Sequence, residues 1–408
     1  MAFIYKSCMK KKKILIVSAV FPPEPVVSAR LSSDIYLFLK EKGNEVNVLH
    51  PKPTRPDGYQ FGSSVISSDE IIAESYTCAR SSVIGRFIES LSFGKATYRY
   101  IESHHSEISV IYANTWPLFG QFYLVKAAKK YNIPCFIHVQ DIYPDSYCQK
   151  MPRIVGGLLY NLLIPIDEYV LRNAAGIIAI SPTMKDYLSK SRGVDKEKFE
   201  IVRNWQNDQS YIDAYEPIKE RNDYIRLMYL GSINPTADVA LIIRSLSEID
   251  KAKYHLSVIG NGPEKEHCKS LASNLDINVT FDTVTPEEVA AKQSEADILI
   301  LCLKKGVAKT ATPSKLTAYM LTGRPIIASV DLDSDCANII REAECGMVVE
   351  PGNEALLREA IMKMAVFSVE KLNGMGASAF EYAKNNLSKE KNLGKLVSYI
   401  ESVSQVKG

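Results

Sequence analysis

Two apolar runs separated by one short, well-punctuated helix signal constrain this chain more than anything else in it. Ala296-Asp-Ile-Leu-Ile-Leu-Cys-Leu303 is apolar without alternation, as a parallel strand buried on both faces requires, and Ile326 to Val330 repeats the pattern. Between them Thr312 suits a helix cap, Pro313 its first turn, and Gly323 with Pro325 a stop. The spacing predicts a β-loop-α-β unit, hence an open α/β sheet in which ligands bind beyond the carboxyl ends of the strands. Here that place is the loop from Lys304 to Thr312 and the helix start after it. The amides of Ser314, Lys315 and Leu316 have no partner within a helix beginning there, so they form an anion site. Lys309 and Lys315 add positive charge beside it, which points to a ligand carrying phosphate.

Similar strand-helix-strand signals recur on both sides of this unit. Lys13 to Val20, Glu45 to His50, Val110 to Ala113, Pro134 to Val139 and Ala174 to Ile180 read as strands of a first half, and Phe199 to Trp205 closes it. Polar Gln206 to Asp223 reads as a linker, after which Ile225 to Leu230, Tyr254 to Ile259 and Val279 to Asp282 restart the pattern. The expected division is 1–213 and 214–387, with a helix over 388–403 returning to the first half. Gly231 and Gly260 each follow a strand, where backbone must approach a ligand closely, and Ser232 stands beside the first.

With 408 residues, 46% hydrophobic and 24% charged, the chain has material for two or three buried cores. A net charge of +2 offers no global field for nucleic acid, which is excluded as a partner. The eight cysteines are scattered without a C-x-x-C pair, so a reducing cytoplasm is expected and no zinc site. No run reaches transmembrane length, and the apolar stretch Gly156 to Pro165 is expected to be core. Ser81 to His105 carries Arg86, Lys95, Arg99, Phe87, Phe93 and Tyr98 at helical spacing, a pattern that suits either a plain surface helix or one lying on an anionic membrane.

The Pro313-Ser-Lys-Leu316 helix start, with Gly323-Arg-Pro325 after it, resembles the donor-binding signature of family 4 glycosyltransferases of the GT-B fold. The opening strand with its Pro22-Pro-Glu24 turn, and His138-Val-Gln-Asp-Ile-Tyr-Pro-Asp145, resemble segments of the same family. The resemblance implies two Rossmann-like domains facing across a cleft, with the nucleotide sugar on the second. It implies donor contacts from Gly231, Ser232, Gly260, Val284, Thr285, Lys309, Pro313, Ser314, Lys315 and Leu316. His138 and Asp141 are the candidate catalytic groups, and Arg30 and Asp145 the acceptor-side ones. The family's two glutamates, eight residues apart, fall at Thr310 and Ala318, and neither is acidic here, which fits a branch that builds bacterial surface polysaccharides. The Asp331-Leu-Asp-Ser-Asp335 string sits where the family has a Gly-Ser-Glu loop, so no metal and no cofactor is expected beyond the nucleotide sugar as co-substrate.

The expected activity is transfer of a hexose from a nucleoside diphosphate, UDP first among them, to a lipid-linked saccharide, with retention and without a metal. The place is the cytoplasmic side, at the inner face of the plasma membrane. An epimerase built on the same fold, or a non-catalytic nucleotide-sugar-binding partner of another transferase, remains an alternative at this point.

Overall fold

The computed structural model describes residues 13–55, 61, 67–78, 82–114, 117–148, 151–205, 208–220, 223–310 and 314–405, with Val83, Lys309, Thr310, Ser314 and 403–405 described by backbone alone. The chain forms two compact units, Met1–Val202 with Leu393–Gly408, and Arg203–Asn392.

Among the described residues the first unit is built on seven strands: β1 (Lys13–Ser18), β2 (Val46–His50), β3 (Glu70–Ile72), β4 (Ile108–Asn114), β5 (Cys135–Val139), β6 (Gly176–Ala179) and β7 (Phe199–Ile201). All pair in parallel, in the order β3-β2-β1-β4-β5-β6-β7. The chain steps outward from β1 to β3 and then returns to the other side of β1, so the switch point lies between β1 and β4, where such sheets hold ligands. At that point Ser18 Oγ lies 2.9 Å from Ser32 Oγ, and Asn114 Nδ2 donates to Ser32 Oγ at 2.8 Å. These bonds lock the ends of both strands onto the Val27–Glu41 helix.

The second unit repeats the plan with β8 (Ile225–Leu230), β9 (Tyr254–Ile259), β10 (Val279–Asp282), β11 (Ile298–Cys302), β12 (Ile326–Ser329) and β13 (Gly346–Val349). Their order is β10-β9-β8-β11-β12-β13, again parallel, with the switch between β8 and β11. The unbroken apolar run of β11 has its explanation here, since Leu299 and Leu301 enter one buried cluster while Ile298, Ile300 and Cys302 enter the other.

Three expectations change. The segment read as a linker is packed on the second unit: Tyr211 and Ile218 are buried, Tyr215 stacks on Phe380 at 4.3 Å, and Ile218 exchanges two hydrogen bonds with Asn373. Arg324, buried, donates to the carbonyls of Ala296 and Glu216 and holds this segment in place. The units therefore divide at Val202/Arg203 and Asn392/Leu393, not at 213/214 and 387/388. In the first unit Tyr399 of the last helix, Lys389–Gln405, packs edge-on against Phe136 at 5.6 Å.

Of Gly156 to Pro165, expected to be core, only Gly156 and Leu163 are buried. The stretch lies within the 21-residue Arg153–Asn173 helix, where Leu158 and Leu162 are both 69% exposed. By length and composition this helix is long and apolar enough to cross a membrane. Its buried Asp167 accepts from Arg192 Nε at 2.6 Å, which ties its inner face to the rest of the unit. The basic aromatic segment is the Val83–His104 helix, but Phe93 is buried and Tyr98 packs on the core, so among its described side chains the exposed large apolar ones are Ile84, Phe87 and Ile88.

Candidate donor and acceptor sites

The strand ends of the second unit gather the expected glycines and lysine. A Cβ on Gly231 would lie 2.2 Å from Lys315 Cε, and one on Gly260 would lie 2.0 Å from the Gly231 carbonyl oxygen. Both glycines have positive φ, +150° and +144°. Only glycine permits this stacking of Lys315 over the end of β8 and of that end over the loop after β9. Lys315 lies one residue into the Ser314–Leu321 helix, and its ammonium donates to the Tyr229 hydroxyl and sits 4.6 Å from the Tyr229 ring centroid. Burial pulls Lys315 from its ordinary value down to about 8. Among the described residues its ammonium meets the Tyr229 hydroxyl and the Ser232 carbonyl 3.5 Å away, as suits a cation whose anion arrives with the ligand.

One turn along the same helix, Tyr319 is fully buried and its hydroxyl both accepts from the Leu230 amide at 2.9 Å and donates to the Leu230 carbonyl at 3.0 Å. It fixes the last residue of β8 and so the position of Gly231. Sequence reasoning missed Tyr229 and Tyr319; their signals were a tyrosine two residues before the glycine and another four after the lysine.

The structure thus brings Gly231, Ser232, Gly260 and Lys315 together. The buried Leu316 anchors the helix start below them. Val284 packs against the core of this unit, and the Thr285 amide donates to Glu288 at 2.8 Å in the loop after β10. Pro313 lies outside the described residues, as do the side chains of Lys309, Thr310 and Ser314. Ala318 is 6% exposed, so the position that carries a glutamate in the resembled family is closed over here. Asp331 accepts the Gly306 amide at 2.8 and 3.0 Å and braces the loop after β11.

In the first unit the expected residues are dispersed. His138, 1% exposed on β5, does not present a free nitrogen: Nδ1 is 2.6 Å from the Tyr112 hydroxyl and Nε2 is 2.9 Å from the Gln140 amide. Burial drives its pKa down to about 3, so the ring is neutral and carries one N–H. Tyr112 is fully buried with its hydroxyl against His138 Nδ1. The Gln140 Nε2 amide donates to His138 Nε2, so the ring N–H lies on Nδ1 and donates to the Tyr112 hydroxyl. A direct acid-base role for His138 is replaced by a positioning one. Asp145 is corrected too: it is buried and paired with Arg192 and the Tyr187 hydroxyl, because the Arg153–Asn173 helix needs that ion cluster under it. Asp141 is exposed, accepts from Ser146 Oγ at 2.9 Å, and remains the acidic group at this strand end. Arg30 stands half-buried in the first turn of the Val27–Glu41 helix. Glu24 of the Pro-Pro-Glu turn, missed earlier, accepts the Thr54 and Arg55 amides at 2.8 and 2.9 Å and shapes the loop after β2.

Comparison with known proteins supplies the context for this geometry. Residues 30–209 match the family model described as Glycosyltransferase Family 4, and residues 224–365 match the one described as Glycosyl transferases group 1. The chain is 21% identical to the putative colanic acid biosynthesis glycosyl transferase WcaI of Escherichia coli K12, over 95% of this chain and 99% of that one. Among solved structures it superposes on sucrose-phosphate synthase of Thermosynechococcus elongatus with a TM-score of 0.73 at 16% identity, covering 97% of this chain and 100% of the other. HepE of Anabaena in complex with UDP gives a TM-score of 0.64 at 13% identity, covering 96% and 100%.

Proposed function

The chain belongs to the glycosyltransferases of the family 4 and group 1 type, and from that premise we propose that it moves a hexose from a nucleoside-diphosphate sugar to a lipid-linked saccharide during bacterial surface-polysaccharide assembly. The observation that carries this reading is Lys315, half-buried across Gly231 at the switch point of the second unit, with a phenol in place of an anion. A diphosphate there takes the ammonium from Tyr229 and receives the first-turn amides of the Ser314–Leu321 helix. Charge that develops on the departing diphosphate is stabilised by groups already in place, which is where this kind of site gains most of its rate. UDP is the first candidate for the nucleotide, supported by HepE having been crystallised with it.

Retention at the anomeric carbon follows from the family reading, and no protein nucleophile enters it. Asp141 is the group available to a hydroxyl of the acceptor, while His138 holds the strand end through Tyr112 and Gln140. Since Lys315 and backbone amides meet the diphosphate charge, the reading takes no metal or other cofactor. Chelation with EDTA should leave turnover intact; activity lost to EDTA and restored by manganese would instead implicate Asp331 and Asp333. The work is done at the cytoplasmic face of the plasma membrane, a placement supported by the exposed Ile84, Phe87 and Ile88 of one helix and Ile154, Val155, Leu158 and Leu162 of another. Lys95 and Arg99 extend the first of these exposed faces with positive charge.

The test is incubation of the purified full chain with UDP-glucose, UDP-galactose and GDP-mannose, each with prenyl-diphosphate-linked saccharides. Nucleoside-diphosphate release that depends on acceptor, with an α-linked product from an α-linked donor, is expected. Release from none of them, or an inverted product, overturns the donor assignment or the retention respectively.

A further inference from the structure

A cavity of about 430 Å3 opens in the first unit beside the ends of β4 and β5. The Val83–His104 and Arg153–Asn173 helices wall it, and Leu118 and Phe119 at the start of the Leu118–Lys130 helix form its floor. Its lining is mostly aromatic and aliphatic: Phe87 packs edge-on against Phe119 at 4.8 Å, Tyr143 stacks on Tyr147 at 5.8 Å, and Leu159 and Leu163 close the far side. A sugar needs a wall of donors and acceptors, whereas this wall suits hydrocarbon. Its polar lining comes from two elements, with Arg86, Glu89 and Ser90 on the Val83–His104 helix and Asp141 and Ser146 after β5. Arg86 shares Glu89 Oε2 with Arg55, at 2.8 and 2.6 Å, so two guanidiniums divide one carboxylate oxygen there. Asp141, the acidic strand-end group, lines the same cavity. The Tyr147 hydroxyl is buried in this wall and meets no hydrogen-bond partner among the described residues, an orphan that a polar ligand atom would satisfy.

Resting on the lipid-linked acceptor of the proposed function, we propose that this cavity seats the phosphate-proximal hydrocarbon chain of the acceptor lipid. Arg86 and the Tyr147 hydroxyl face the lipid phosphate, and the saccharide is presented towards Asp141. The exposed leucines Leu158 and Leu162 lie on the same helix as Leu159 and Leu163 but on its outer face, so bilayer contact and chain uptake use different residues of one element. The two are therefore separable by substitution.

The test uses the full-length protein and farnesyl monophosphate below its aggregation limit, with inorganic phosphate as the control ligand. Leu159→Trp, which fills the cavity, should weaken farnesyl monophosphate about tenfold or more, since several buried methylenes are excluded. UDP affinity should be unchanged, as that site lies in the other unit. The pair Leu158→Ser with Leu162→Ser should leave farnesyl monophosphate affinity intact and reduce adsorption to phosphatidylglycerol vesicles. Equal affinity of wild type and Leu159→Trp, or inorganic phosphate binding as tightly as the prenyl phosphate, overturns the chain seat. So does loss in the outer pair equal to that in Leu159→Trp, which assigns the binding to the outer surface. Photolabelling of the wild type with a diazirine-bearing farnesyl monophosphate does not depend on any variant folding: adducts within 117–119 and 143–163 are expected, and adducts confined elsewhere refute the proposal. Farnesyl monophosphate binding without any UDP or GDP binding would count against the donor reading while leaving the chain seat standing.

Discussion

Lys315 is a cation held over backbone by a phenol, and its depressed pKa has a signed consequence. In the empty protein the ammonium begins to lose its proton near pH 8, whereas bound diphosphate holds it charged. Nucleotide affinity should therefore fall as pH rises through 8, approaching tenfold per unit, with uptake of up to about one proton per nucleotide bound. Calorimetry in buffers of different ionisation enthalpy measures that uptake; none at pH 9 would contradict the assignment. Gly231→Ala tests the same contact from the other side. Its Cβ would overlap Lys315 Cε, so nucleotide affinity should drop by roughly the 1.5 to 3 kcal/mol of a charge-assisted bond. Burial lowers the pKa of His138 well below that of a surface histidine. Its folded pKa near 3 lies below the unfolded 6.5, so its neutral burial stabilises fully above pH 6.5 and that stability is lost as pH falls towards 3. Urea titrations should show wild type losing roughly 2 to 3 kcal/mol more than His138→Gln between pH 6.5 and 4.5. The lysine and the glycine were legible in the sequence because their types and spacing carry their chemistry. The bonding of His138 was not, since a polar residue at a strand end looks the same whether it faces solvent or a buried tyrosine.

At the level of elements, the β-loop-α-β unit around Lys315 was readable because residues buried on both faces of a parallel strand must all be apolar, as Ile298 to Cys302 are. The Arg153–Asn173 helix misled for the same reason: apolar residues signal burial somewhere, but which neighbour covers Leu158 or Leu162 is not written in their own segment. Nor is register between elements, which is why Tyr319 escaped notice although Lys315 did not. Tyr319→Phe removes both bonds to Leu230 and leaves a buried amide and carbonyl unmet, which should cost about 1 to 3 kcal/mol of stability and loosen nucleotide binding. Denaturant midpoints together with UDP titration check both effects; a variant as stable and as tight as wild type would remove Tyr319 from the site. Under the Arg153–Asn173 helix, Arg192→Ala would strand the carboxylates of Asp145 and Asp167 in the interior. Breaking a buried pair of this kind costs about 3 to 5 kcal/mol, seen as an early unfolding transition.

Across the whole molecule the same topology occurs twice, with the order of strands reversing at β1/β4 and at β8/β11. Repetition of strand and helix signals made two α/β halves legible, while the division at Val202/Arg203 was obscured because a polar stretch that looks like a linker is fastened by Tyr211, Tyr215 and Ile218. The strand-end position in the second half was occupied as expected by Gly231, Gly260 and Lys315, whereas in the first half the polar strand end is largely internal bonding and the cavity beside it was not foreseen at all. The central claim is that the second half holds the diphosphate of the donor through Lys315. It is tested most directly by calorimetric titration of UDP and UDP-glucose, with GDP as a comparison, into the full-length wild type and Lys315→Met at pH 7. Saturable binding of at least one nucleotide to wild type, weakened roughly 10- to 100-fold in Lys315→Met with the fold intact, is the predicted result. Equal affinity in the two proteins, or no binding of any of the nucleotides to the folded wild type, would contradict it.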